Sequence, residues 1–288
     1  MLASKIALGT AQFGLNYGVS NFSGQVSFSS IKSILELAKS SGINTLDTAI
    51  AYGNSESMLG MAGCEDWKIV TKIPQLPENL IDTSTWISDQ IFSSMDRLNV
   101  KHIDAILFHH PEQLLSKNGD HFFYELKKLK ENGYINKIGI SIYDPEQIAG
   151  IITRYDIDIV QCPINILDRR MLDSEWFNKL VSKKIEIHAR SIFLQGLLLM
   201  KKEERAQRFS KYNKLWLEWD NWLNKNKIHP LSACLAYVLS IPSINKVVLG
   251  VQNRIQLEEI ISSISDVLPE VPNWMDLYDD NLINPSKW

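Results

Sequence analysis

The sequence predicts a single α/β domain with the (β/α)8, or TIM-barrel, architecture, in which parallel strands close into a barrel inside a ring of helices. Short apolar runs alternate with amphipathic stretches along the 288 residues, which is the pattern of parallel βα units. The apolar runs are continuous, so the sheet they form is covered on both faces. Eight such runs in one chain favour a closed barrel over an open doubly wound sheet.

The individual elements follow from the apolar periodicity. Several helical stretches open with Ser, Thr or Asp and close with Gly, as helix caps require. Neither a GxGxxG turn nor a P-loop pattern occurs, so nothing supports a Rossmann or P-loop fold. The predicted strands are 5–9, 44–48, 68–72, 103–109, 136–141, 158–163, 185–191 and 246–251. The predicted helices include 29–42, 83–98, 121–133, 144–155 and 230–240.

Two segments depart from the βα repeat within residues 1–288. Residues 199–228 predict a helical insertion at the barrel mouth, and residues 268–288, rich in Pro, Asn and Asp, predict a C-terminal extension packed on the barrel. Trp216, Trp219 and Trp222 recur at helical spacing within the insertion, which favours packing over a ring-binding wall.

Composition and charge limit the partners. The net charge of −3 is spread over interspersed acids and bases, so we expect neither a nucleic-acid nor a membrane partner. No apolar run of membrane-spanning length and no signal-peptide pattern occurs, so the expected compartment is the cytoplasm. Cys64, Cys162 and Cys234 lack the spacing of a metal or redox motif and are expected to be buried thiols.

Polar residues end most of the predicted strands. In barrels of this kind the loops after the strands form the active face, so these side chains are expected to converge there. Tyr52 follows the second strand by one short loop. The strand-ending residues are Asp47, Lys72, His109, His110, Ser141, Gln161, Arg190 and Ser191.

Asp, Tyr, Lys and His together provide proton transfer. A Tyr phenol has a pKa near 10, which a nearby ammonium lowers by favouring the phenolate. We therefore expect Lys72 to lower the pKa of Tyr52 and Asp47 to hold Lys72, while His109 orients a carbonyl oxygen. Since no side chain donates hydride, a nicotinamide is the expected partner of this acid.

The motifs that carry these residues resemble those of the aldo-keto reductases. They are DTAIAYG at 47–53, the strand-ending Lys72 and HHP at 109–111, and the resemblance covers nearly the whole chain. It implies reduction of aldehydes or ketones, or oxidation of alcohols, with NADPH and without metal. The family's catalytic roles fall on Asp47, Tyr52, Lys72 and His109, with His109 preferred to His110 because HHP matches the family's H-x-P.

The resemblance also implies cofactor contacts on the first half of the dinucleotide. Ser141 and Gln161 match residues that contact the nicotinamide, although Ile142 replaces the family's usual Asn. Arg190 stands where many members stack a Tyr on the nicotinamide. Ser191, Leu194 and Gly196 match the residues that meet the pyrophosphate.

At the adenosine half, the family's basic residues are missing. Gly250 and Gln256 occupy the positions of the Lys and Arg that grip the 2′-phosphate, and Glu259 matches a residue that faces adenine. Arg254 is either a substitute phosphate ligand or a solvated residue of a helix's first turn. NADPH is therefore the expected cofactor, with NADH as the alternative.

Other functions remain as alternatives. Some relatives of this fold bind nicotinamide and act mainly as regulatory subunits or sensors. An aldolase with Lys72 as Schiff-base nucleophile is disfavoured because Asp47 would raise the pKa of Lys72. A metal hydrolase using Asp47, His109 and His188 is disfavoured because His188 precedes the end of its strand.

The sequence predicts neither the substrate nor the oligomeric state. The loops that would shape a pocket are 13–22, the insertion and the extension, together with Trp86 if its helix reaches the mouth. Action on sugars or small aldehydes is an expectation from family analogy alone.

Overall fold

The computed structural model describes residues 2–19, 21, 23–77, 80, 82–265, 267–275 and 279–288. Parallel strands close into a barrel in chain order, with the first strand paired to both the second and the eighth. The predicted (β/α)8 fold is confirmed, and every strand begins and ends within one residue of its predicted bounds. The strands are β1 (Ile6–Gly9), β2 (Thr45–Asp47), β3 (Lys68–Ile73), β4 (Ile103–Phe108), β5 (Ile135–Ser141), β6 (Ile159–Pro163), β7 (Glu186–Arg190) and β8 (Lys246–Gly250).

Helices surround the barrel and cover its ends. The α-helices are α1 (Ala11–Gly14), α2 (Phe28–Ser40), α3 (Ser55–Ala62), α4 (Thr83–Leu98), α5 (Gly119–Glu131), α6 (Ile151–Arg154), α7 (Arg170–Asp173), α8 (Glu175–Ser182), α9 (Asn213–Asn226), α10 (Pro230–Leu239), α11 (Arg254–Ser262) and α12 (Asp280–Ile283). Short 3-10 helices span Leu2–Lys5, Pro111–Leu115, Pro145–Ile148, Leu197–Leu199, Lys202–Glu204, Gln207–Tyr212, Asn273–Met275 and Pro285–Lys287. In the part of the chain that the structure describes, no helix combines the length and the apolar character needed to cross a membrane.

The stretch 144–155, predicted as one helix, is two short pieces. The side chain of Asp144 accepts from the backbone N–H of Glu146 and caps a 3-10 helix, which ends at Ile148. Ala149 then adopts an extended conformation with ψ of 131°, so the chain must restart at α6. The apolar periodicity spans this break and gives no sign of it.

Strand alternation places the polar strand ends inside the barrel. Val70, Leu107 and Ile159 belong to a small buried cluster inside the barrel, separate from the core that lies between strands and helices. Side chains two residues apart share a strand face. Lys72 and Gln161 therefore project into the barrel interior, one layer above this apolar floor and nearer the carboxyl ends of the strands.

A second hydrophobic cluster joins the insertion and the extension. Trp216, Trp219 and Trp222 are buried in it, which confirms the prediction that they pack. It also includes Leu194 from the loop after β7 and Leu282 from α12. The insertion and the extension thus bury their apolar residues on each other and on the loops of the barrel rim.

Polar contacts fasten the extension to the same region. Arg170 Nη1 lies 2.9 Å from Asp280 Oδ1, and the Tyr212 hydroxyl donates to Asp279 Oδ2 at 2.7 Å. The indole N–H of Trp222 donates to a backbone carbonyl of the extension at 3.1 Å. The three cysteines are free and buried, as predicted.

Candidate active site

A cleft of about 310 Å³ opens where the strands end, and all four predicted catalytic residues line it. Asp47 ends β2, Lys72 lies near the end of β3, and His109 follows β4 directly. Tyr52 belongs to the loop between β2 and α3. The convergence follows from the closed barrel, because parallel strands bring their carboxyl ends to one rim.

Asp47 and Lys72 form a buried ion pair. Lys72 Nζ lies 2.7 Å from Asp47 Oδ1 and also donates to the Thr48 carbonyl at 2.8 Å. The other carboxylate oxygen, Oδ2, accepts from Gln161 Nε2 at 2.6 Å. Burial lowers the pKa of Lys72, and Asp47 opposes this by favouring the ammonium. Lys72, 1% exposed, is therefore held as an ion-pair partner and is not presented as a free amine for Schiff-base chemistry.

Tyr52 contacts Lys72 through its ring. Lys72 Nζ lies 5.3 Å from the ring centroid, and no hydrogen bond joins the ammonium to the Tyr52 hydroxyl. Burial raises the pKa of Tyr52, the Asp47 carboxylate raises it further, and Arg190 is the cation that lowers it. The ammonium of Lys72 faces the ring and is already bonded to Asp47, so the expectation that it lowers the pKa of Tyr52 stays a prediction.

His109 lies beside Tyr52 as a neutral imidazole. The two ring centroids are 6.0 Å apart, and the rings meet edge to face at 78°. Burial, followed by the positive charge of Lys72, lowers the pKa of His109 to about 3. His110 instead is exposed, with Nδ1 3.2 Å from Glu112 Oε1, and it does not line the cleft.

A close backbone contact fixes the loop that carries Tyr52. A Cβ atom on Gly14 would lie 1.8 Å from the Tyr52 carbonyl oxygen, so only glycine allows this approach. The Ser55 hydroxyl donates to the Thr10 carbonyl at 2.9 Å, which ties the start of α3 to the loop after β1. The loop after β1 therefore packs tightly against the loop between β2 and α3, and this contact fixes the position of Tyr52.

Glu56, close to Tyr52 in sequence, has a structural role that the sequence did not reveal. It is 2% exposed and does not line the cleft. Its carboxylate accepts from Thr71 and Ser94, both at 2.7 Å, and from two nitrogens of Arg97 at 3.0 and 2.7 Å. This carboxylate joins α3 to β3 and α4.

Most of the predicted cofactor residues line the same cleft, and two do not. Leu194 is buried in the second hydrophobic cluster, and its backbone N–H donates to the Ser191 carbonyl at 2.9 Å. Arg254 Nε lies 2.8 Å from Glu258 Oε1 on the outside of α11. The predicted residues that line the cleft are Ser141, Gln161, Arg190, Ser191, Gly196, Gly250, Gln256 and Glu259.

Arg190 is stacked on a residue that sequence reasoning missed. Its guanidinium carbon lies 4.2 Å from the ring centroid of Tyr143, and it donates to the Ile142 carbonyl at 2.8 Å and to Ser191 Oγ at 3.2 Å. Tyr143 stands two residues beyond the end of β5, a position that strand-end reasoning could have included. Gln12 and Gln252 line the cleft as well and were also missed.

The loops expected to shape the pocket contribute unequally. Tyr17 and Gly18 line the cleft, whereas Phe22 lies outside the described residues. Trp86 is not in the lining and meets the ring of Phe122 edge to face. From the insertion only Leu199 reaches the cleft, and no described residue of the extension does.

The lining suits a nicotinamide dinucleotide. The loop after β7 holds left-handed backbone at the non-glycine residues Ser191, Leu194 and Gln195, with φ of 59°, 49° and 53°, and such strain is typical of ligand-binding loops. Gln12 Oε1 is a buried acceptor without a partner among the described residues, so a ligand donor would satisfy it. The residues proposed for a metal site are not brought together, since His188 lies 3% exposed and outside the cleft lining.

Comparison with known proteins decides the family. The model of the aldo/keto reductase family matches residues 5–271. The chain belongs to the aldo/keto reductase family. It is 27% identical over 251 residues to the uncharacterized oxidoreductase YqkF of Bacillus subtilis, covering 80% of this chain and 81% of the relative. It is 28% identical over 248 residues to the NADH-specific methylglyoxal reductase of Escherichia coli, covering 74% and 72%.

A solved structure supports the fold of this aldo/keto reductase. The holo form of an aldo-keto reductase from Bacillus halodurans superimposes with a TM-score of 0.73 at 21% identity, covering 92% of this chain and 88% of that one. Family membership makes the protein an NAD(P)H-dependent oxidoreductase of carbonyl groups. The comparisons lend no support to the alternative of a regulatory subunit.

Proposed function

We propose that this aldo/keto reductase reduces a small aldehyde or ketone with Tyr52 as the proton donor. The observation that carries the proposal is the arrangement of Tyr52 between the buried Lys72–Asp47 pair and the ring of His109 in one cleft. The bound nicotinamide supplies the hydride. The chain's own residues supply the proton and hold the carbonyl oxygen.

Tyr52 supplies the proton from a phenol that stays protonated. Burial and Asp47 raise its pKa, so the acid form is present throughout the neutral range. As negative charge develops on the carbonyl oxygen, the phenol transfers its proton to that oxygen. Arg190 favours the phenolate that remains, and the ammonium of Lys72 below the ring adds positive charge nearby.

His109 orients the carbonyl oxygen. With a pKa of about 3 its imidazole is neutral at physiological pH and keeps one N–H donor. A neutral donor beside Tyr52 aligns the oxygen with the phenol without competing as an acid. Asp47 holds Lys72, and Gln161 holds Asp47.

The proposed cofactor contacts follow the cleft. Ser141, Gln161 and Arg190 lie at the end that holds Tyr52, and Ser191 and Gly196 lie on the strained loop after β7. Gly250 at the end of β8 and Gln256 and Glu259 on α11 also line the cleft, and these residues would hold the adenosine. NADPH was the expected cofactor, but Arg254, the residue considered for its phosphate, is paired with Glu258 outside the lining.

The proposed substrates are small, polar carbonyl compounds such as methylglyoxal. The Escherichia coli relative is named a methylglyoxal reductase, which supports this class. Tyr17, Tyr143 and Arg190 add hydroxyl and guanidinium groups to the lining near Tyr52, and these suit a substrate that carries a second oxygen.

Replacing Tyr52 by Phe tests the proposal. The Tyr52→Phe variant should bind nicotinamide cofactor normally and lose about 10²- to 10⁴-fold in turnover of methylglyoxal, as expected for a missing general acid. Tyr124→Phe is the matched control, since Tyr124 is exposed on α5 and outside the cleft lining. Unchanged turnover in Tyr52→Phe would refute the assignment.

A further inference from the structure

One end of the cleft, named here the β8 end because most of it comes from the end of β8 and the segment that follows, is lined by amide side chains and one carboxylate. Its members are Gln12, Gly250, Gln252, Gln256 and Glu259. Lys72 and Arg190 are the cationic side chains in the described lining, and both lie close to Tyr52. The chemistry of the β8 end is therefore set by amides and a carboxylate.

The orientation of the Gln12 amide is fixed by its neighbours. Nε2 donates to the Tyr17 carbonyl at 3.2 Å, which an amide oxygen could not do. Oε1 is therefore the atom that faces Gly250, and this buried acceptor has no donor among the described residues. An orphaned acceptor of this kind calls for a ligand that donates a hydrogen bond.

Gln12 also fills the space that a side chain at position 250 would need. A Cβ atom built on Gly250 would lie 2.9 Å from Gln12 Oε1, closer than ordinary contact allows. The position that carries Lys in many family members is therefore occupied here by an acceptor from the loop after β1.

Helix α11 presents an acidic side to the cleft. Gln256 and Glu259 are three residues apart, share a helix face and line the β8 end. Arg254 and Glu258 are four apart on another face, where their ion pair of 2.8 Å keeps the guanidinium away from the lining. The side-chain charge that α11 offers a ligand in the cleft is thus negative.

We propose that the β8 end selects an adenosine ribose with a free 2′-hydroxyl, so that this enzyme uses NADH in preference to NADPH, with Glu259 as the discriminating residue. The inference rests on the proposed function. A hydroxyl donates to Gln12 Oε1 or to the Glu259 carboxylate, as acidic side chains do toward ribose in NAD-binding sites. A 2′-phosphate brings only acceptors and negative charge, which a carboxylate repels.

Binding of the two nucleotides to the cofactor-free enzyme tests this without relying on turnover. Quenching of tryptophan fluorescence gives Kd for NADH and for NADPH. We expect NADH to bind at least about tenfold more tightly, the size of effect that one unfavourable charge contact produces. Equal affinities, or tighter binding of NADPH, would overturn the inference.

Two variants assign the effect to residues. Glu259→Gln removes the charge and should tighten NADPH binding by about threefold to tenfold with little change for NADH. Gln12→Leu removes the orphaned acceptor and should weaken NADH binding selectively. Glu131→Gln is the matched control, since it makes the same change of charge on an exposed residue at the end of α5, outside the cleft lining.

The outcomes distinguish a failure of this inference from a failure of the proposed reductase function. If Glu259→Gln keeps the NADH-to-NADPH ratio of Glu131→Gln, Glu259 is not the discriminating residue. If the wild-type enzyme binds neither nucleotide, the proposed reductase function itself fails, and the inference fails with it. If both bind but NADPH binds better, the reductase function stands and the preference is reversed.

Discussion

Gln161 on β6 reaches across the barrel and donates its amide to Asp47 on β2, with 2.6 Å between Nε2 and Oδ2. The two strands lie on opposite sides of the closed sheet. Because Lys72 donates to the other carboxylate oxygen, both oxygens of Asp47 accept a hydrogen bond. The position of the ammonium under Tyr52 thus depends on a residue that was expected only to contact the cofactor.

Replacing Gln161 by Leu should therefore impair catalysis. The change leaves a buried carboxylate oxygen without its donor, and hydrogen bonds to charged groups contribute about 1.5–3 kcal/mol, so kcat should fall by about tenfold to hundredfold. Steady-state kinetics with saturating NADH would measure this fall in kcat. Gln207→Leu, at an exposed position outside the cleft lining, is the amide control. A rise in KM with unchanged kcat would show that Gln161 acts in binding alone.

The pH dependence should differ between the two reaction directions. The pKa of Tyr52 is raised and that of His109 is lowered to about 3, so reduction finds both groups in their working forms at neutral pH. We expect kcat/KM for reduction to be flat between about pH 5 and 9. Oxidation needs the phenolate, so its rate should rise with pH. A decline in reduction near pH 6–7 would contradict the neutral state of His109.

Replacing Gly14 by Ala should displace the loop that carries Tyr52. The new Cβ would start 1.8 Å from the Tyr52 carbonyl oxygen, so the loop must move. We expect kcat to fall at least about tenfold, since small misplacements of a reacting group are costly. Gly42→Ala is the control because Gly42 has φ of 82° and open space around it. That variant should lose stability and keep kcat.

Replacing Glu56 by Gln should destabilise the fold. The change removes the charge that Arg97 pairs with and turns one carboxylate oxygen into an NH2 donor, so either Arg97 or the hydroxyls of Thr71 and Ser94 lose their acceptor. Breaking a buried pair costs about 3–5 kcal/mol, and the lower end applies because Arg97 can turn toward solvent. Denaturant unfolding would measure the loss. Glu112→Gln, which breaks an exposed pair with His110, should leave the midpoint unchanged.

The sequence predicted the strands well because alternation and length are local properties. The strand ends of a parallel barrel must meet at one rim, so the sequence also predicted that Asp47, Tyr52, Lys72 and His109 lie together. The bond between Gln161 and Asp47 could not be foreseen, because partners across the barrel depend on the register of the whole sheet.

Other misses have local causes. The 2.8 Å pair of Arg254 and Glu258 follows from their four-residue spacing and could have been anticipated from the sequence. Leu194 was matched to the cofactor by family position, but its apolar side chain is buried in the second hydrophobic cluster instead. The ring contact between Lys72 and Tyr52 depends on side-chain geometry that no spacing encodes.

The extension gives the cleft no atom among its described residues, yet it packs against the loop whose strained backbone lines that cleft. Substitutions there can alter cofactor affinity while every lining residue is conserved. A comparison of related enzymes restricted to their lining residues would therefore miss part of what sets their kinetics, and the chain's last twenty or so positions belong in any such survey.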